Sequence, residues 1–159
     1  MKRILLLPIG LIPLVAGYGI NYLMMYLNIY GMTITLISFV FLVIWFFIGY
    51  YVGNIKASHT SVIGFSLAFG ILNYIYIVYQ LLIMESWSGN VFGMMSQFYI
   101  LPSLGLVWEI DLFNVFNRPF GYSTCAMIFL LLVFCIGFYL RRGRINVNVS
   151  TPKTKISEE

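Results

Sequence analysis

Charged and amide side chains are few in this chain, and their positions narrow the chemistry open to it. Glu109, Asp111, Asn114 and Arg118 fall in one short stretch. At about 100° of helix per residue, Asp111, Asn114, Asn117 and Arg118 share a face, while Trp108, Leu112, Phe113, Val115 and Phe116 occupy the other. Glu109 lands on the apolar side, where a carboxylate must pair, reach water or hold a proton. Such a group could bind a lipid headgroup, a peptide or a partner protein. The plainer reading is an interfacial helix with one wet face, flanked by the aromatic anchors Trp87, Trp108 and Tyr122.

A second set, Asn21, Asn73, Tyr76 and Gln80, is uncharged and lies inside apolar runs. Asn73, Tyr76 and Gln80 recur at helical spacing, so they form one stripe. They could line a polar path against Asn21, or simply join neighbouring helices by hydrogen bonds worth about 1 kcal/mol or less each.

Little else in the sequence has the makings of a catalytic centre. His59 is the one histidine, and Cys125 and Cys135 are the two cysteines. On one helix those thiols stand about 15 Å apart, well beyond the Cα separation of about 7 Å that a disulfide tolerates. One imidazole and two helix-bound thiols fall short of a zinc ligand set. There is no zinc-protease helix motif, no nucleophile elbow and no phosphate-cradling glycine loop. The sequence therefore predicts a non-enzymatic protein with no cofactor and no bound metal. Its nine Lys and Arg against five Asp and Glu give a net charge of +4. Most of the basic residues cap apolar runs, which is not a nucleic-acid signature.

The elements that must position these residues follow from composition. Hydrophobic residues make up 61% of the 159, only 9% are charged, and the mean hydropathy is +0.94. A water-soluble domain carries about a quarter of its residues as charges, so the chain reads as an all-α polytopic membrane protein. A helix needs about 20 apolar residues to cross a bilayer core. Four uncharged runs qualify: residues 4–26, 33–53, 61–84 and 122–140. Backbone polar groups in lipid must be satisfied internally, which makes each run a helix.

Residues 91–108 are long enough to span but carry Ser96, Gln97, Ser103 and Pro102. Basic residues favour cytoplasmic loops. With four spans and an inside N-terminus, Lys2, Arg3, Lys56, Arg141, Arg142, Arg144, Lys153 and Lys155 lie inside and Arg118 alone outside, eight to one. With five spans the better split is five to four. Four spans with both termini cytoplasmic is the reading, and residues 85–121 become an extracytoplasmic segment. Its first half is expected in the interface, or dipping into the membrane and turning back near Pro102. Pro119 is expected to end the amphipathic helix, with Gly121 turning the chain into the last span.

Lys2 and Arg3, the apolar run and Val15-Ala16-Gly17 look like a signal peptide. The run continues through Tyr22, Leu23, Met24 and Met25, which favours a retained anchor. Pro8 and Pro13 could kink it. Gly64 with Ala68, and Ser66 with Gly70, are small residues four apart that permit close helix packing. Residues 141–159 read as a disordered basic tail, whose Asn148 sequon lies on the wrong side for glycan addition.

The composition fits a bacterial cell membrane. The expected role is an accessory, regulatory, immunity or assembly factor. Its partners would be membrane lipids and either another membrane protein or a second copy of itself. A transport subunit or homo-oligomer, with a polar path between spans one and three, is the alternative.

Overall fold

The computed structural model describes residues 3–55, 58–83, 91–109 and 119–150. All elements among them are helical: a 3-10 helix, Arg3–Leu11, then α1 (Ile12–Leu27), α2 (Met32–Val52), α3 (His59–Leu82), α4 (Val91–Glu109) and α5 (Pro119–Ser150). Four stretches are long and apolar enough to cross a membrane: Leu6–Leu27, Met32–Val52, His59–Leu82 and Gly121–Arg144. No more than 39% of any of these apolar stretches is buried inside the protein. Faces that apolar are compatible with a membrane-embedded chain.

Proline shapes the first rod. Pro8 and Pro13 lack the N–H groups an α-helix would direct to residues 4 and 9, and the nine residues Arg3–Leu11 wind as a tighter 3-10 helix. Pro13 then sits in the first turn of α1, where a missing donor costs nothing. The turn that follows uses Asn28 in the left-handed region, φ 51°, and Gly31 at φ 62°, conformations these two residues tolerate best.

Contacts fix the helix directions. Trp45 meets Leu130, Gly49 meets Phe134 and Gly53 meets Phe138, so α2 and α5 are parallel. Tyr74 meets Thr124, and His59 meets Phe138, so α3 opposes α5. Leu14 lies near Met95, Gly17 near Phe98 and Met24 near Leu104, so α1 and α4 are parallel. Asn73 meets Ser96, while Ile77 and Leu81 cluster with Ile100 and Leu104. Consecutive helices α3 and α4 thus run the same way, and the first turns of α4 sit beside the middle of α3. The starts of the 3-10 helix and α3, and the later part of α5, gather at one end of the bundle.

Several expectations change. Pro102 is no turning point: α4 is one helix from Val91 to Glu109. It packs against α1, α2, α3 and α5 at once, unlike a helix resting on a membrane surface. Trp108 and Glu109 belong to α4 and Pro119 to α5, while the rest of the expected amphipathic helix, residues 110–118, lies outside the described residues. The helix of the last run continues to Ser150, well into the stretch expected as a disordered tail. Arginine is a good helix former, and Arg141, Arg142 and Arg144 are tied to α2 or the turn after it.

Candidate functional site

Three places in the bundle hold polar side chains worth weighing as sites. The first lies between the 3-10 helix, α1, α3 and α4, where a cavity of about 330 Å³ is lined by Leu14, Phe69, Asn73, Tyr76, Phe92 and Ser96 among others. Asn73 Nδ2 donates to the Phe69 carbonyl at 2.7 Å. The Ser96 hydroxyl is shared between the Phe92 carbonyl at 2.9 Å and Asn73 Oδ1 at 3.3 Å. This amide is therefore held on both sides, and it stitches α3 to α4.

Of the four residues expected along a polar path, the structure brings Asn73 and Tyr76 to this cavity and leaves the others apart. Asn21 sits half-buried on α1, which packs on α4 rather than on α3. Gln80 is fully buried, outside the cavity lining, and neither amide atom has a hydrogen-bond partner. Glu109 closes α4, but its side chain and Asp111, Asn114 and Arg118 lie outside the described residues. Among the described residues no group of three or more His, Cys, Asp or Glu comes together.

The second place is the closest helix–helix approach. Pro102 cannot donate to the carbonyl four residues back, which is that of Phe98. The Phe98 carbonyl lies against Gly17 of α1, where any Cβ would overlap it. The pairing recurs between α2 and α5: Gly49 lies on the Phe134 carbonyl, and Gly137 lies on the Phe46 carbonyl. Beside them Trp45 is wholly buried, donating from its indole to the Leu130 carbonyl at 3.0 Å. Of the small-residue pairs singled out in the sequence, Ser66 and Gly70 are buried, with Gly70 against the Tyr99 hydroxyl. Gly64 faces open space. The sequence did carry a signal for the stronger contact, Gly49 and Gly53 four apart in α2.

The third place is the basic end. Arg142 donates to the carbonyls of Gly53 and Ile55 at 3.3 and 2.7 Å, clamping the turn after α2. Arg141 donates to Asn54 Oδ1 and to the Tyr50 hydroxyl, and Arg144 donates to that same hydroxyl. Both guanidinium groups also lie near the face of the Tyr50 ring, at 5.3 and 6.0 Å from its centre. His59 begins α3 beside them and meets the edges of Phe138 and Tyr139.

Together these features define a protein whose described residues are all-helical, with four helices fit to cross a membrane and several polar side chains joining one helix to another. Comparison with protein families, curated sequences and solved structures gives no match for this chain.

Proposed function

We propose that this chain is a non-catalytic accessory protein of a cell membrane, crossing it four times with both ends on the cytoplasmic side and acting through lipid or protein partners. One observation carries the reading: several polar side chains inside the bundle are bonded to other helices, although Ser38, Ser66 and Gln80 are buried without a partner. Asn73 with Ser96, Tyr74 with Thr124, Trp45 with Leu130 and Ser103 with Ala126 each join two helices. They specify one packing of the bundle, so what remains to act is its outer surface. The gathering of Arg141, Arg142 and Arg144 at the end where the 3-10 helix and α3 begin supports the orientation. Regulation, immunity or assembly of a larger membrane complex all use such surfaces. Purification in a mild uncharged detergent, with crosslinking before lysis, tests the role. A stable partner or a homo-oligomer is expected, and a chain recovered only as a free monomer would refute it.

A second reading, a transport subunit, draws on the cavity beside Asn73 and Tyr76. It predicts a ligand-dependent rise in the unfolding temperature that Asn73→Ala abolishes, and a ligand-blind, impermeable reconstituted protein would dismiss it.

A further inference from the structure

Arg141 and Arg144 stand within one turn of α5 and direct an Nη1 each to the same neutral oxygen, the Tyr50 hydroxyl, at 3.3 Å. Two like charges brought to one oxygen repel unless an anion lies near them. Among the described residues no carboxylate side chain lies near them; the chain's acidic residues are Glu85, Glu109, Asp111, Glu158 and Glu159, and residues 112–157 and 1–84 contain none. Arg142 is different, because two backbone carbonyls already hold it against the turn after α2. Arg144 is the exposed member of the three.

Directly beside Arg144 a wide-open apolar groove of about 760 Å³ follows α5, formed by that helix alone through Leu132, Cys135, Ile136, Tyr139, Leu140 and Gly143, with Arg144 at its end. An open apolar strip that ends at a guanidinium matches the two halves of a phospholipid. The chain's hydrocarbon would lie along α5, and guanidinium binds phosphate oxygens in a fork. We propose that Arg144, backed by Arg141, holds the phosphate of one anionic phospholipid whose acyl chain occupies the groove along α5. The proposal rests on the membrane reading above and adds a defined site and a ligand class to it.

The test uses the full chain, exchanged into nanodiscs and then into a mild uncharged detergent, with dioleoylphosphatidylglycerol and dioleoylphosphatidylcholine as probes. Retained lipid is counted by native mass spectrometry. One phosphatidylglycerol is expected to persist, retained about tenfold over phosphatidylcholine, as befits a charge-assisted contact. Arg144→Gln and Ile136→Trp, which fills the trough, should each remove that preference, with helical content by circular dichroism unchanged. Equal retention of the two lipids, or a preference that survives both substitutions, would overturn the site. So would recovery of the preference in Arg144→Gln when Asn148→Arg restores the net charge, since that is charge without a site. Displacement by inorganic phosphate as effective as by the lipid would also overturn it, because the groove would then contribute nothing. If instead the chain fails to enter nanodiscs and stays soluble without detergent, the membrane reading itself has failed.

Discussion

Among the described residues Gln80 is the most poorly matched side chain, with both amide atoms unpaired. Its amide can make several hydrogen bonds, yet the side chain is fully buried and both polar atoms are unpaired. An unsatisfied buried amide costs about 1–3 kcal/mol. Asn73, two turns earlier on α3, has the same chemistry and is satisfied at both ends. The sequence placed both in one polar stripe and could not separate them, because pairing depends on what α4 presents at each level. Replacing Gln80 with leucine removes the polar atoms at similar volume. The unfolding midpoint in detergent should therefore rise, by the equivalent of about 1 kcal/mol. A clear fall would show that Gln80 meets a polar group in the assembled protein, and the residue would return to the list of binding candidates.

Helices are the scale at which the sequence was read most fully and also misread. The four long apolar runs end within a few residues of the membrane-length stretches found, since span length is set by bilayer thickness rather than by local propensity. The reading of Pro102 failed for the complementary reason. In water a proline inside a helix leaves a carbonyl to be solvated, but here that carbonyl belongs to Phe98 and a neighbouring helix covers it through Gly17. Without knowing that α1 runs alongside α4, no pattern in residues 91–108 could show this. The contact gives a sharp comparison. Gly17→Ala should destabilise the protein by about 1–3 kcal/mol, because helix α4 would have to move away. Gly19→Ala, two residues on, meets nothing within 4 Å and should be neutral or stabilise slightly, by less than about 1 kcal/mol. Chemical or thermal unfolding of the two variants in one detergent decides it. Equal effects would mean that α1 and α4 do not meet as described.

For the whole molecule, the decisive feature is the parallel run of α3 and α4. Counting five apolar helices as five crossings would send the two termini to opposite faces of a membrane. The helix directions differ from that count: α1, α3 and α4 point one way, α2 and α5 the other, so the start of the 3-10 helix and the arginines of α5 share an end of the bundle. The count of basic residues argues on separate grounds for both ends on one side, from the preference of Lys and Arg for one side of a membrane. What it could not supply was the place of α4, which begins beside the middle of α3 and is enclosed by its neighbours. A labelling experiment tests the arrangement without reference to function. In a chain carrying Cys125→Ala and Cys135→Ala, single cysteines at Ser58, Gly143 and Tyr30 occupy exposed positions. An impermeant maleimide applied to sealed, oriented vesicles should reach Ser58→Cys and Gly143→Cys from one side, and Tyr30→Cys from the other. Labelling of Ser58→Cys and Gly143→Cys from opposite faces would be incompatible with arginines of α5 that grip the turn after α2, and with every conclusion about the basic end that follows from that grip.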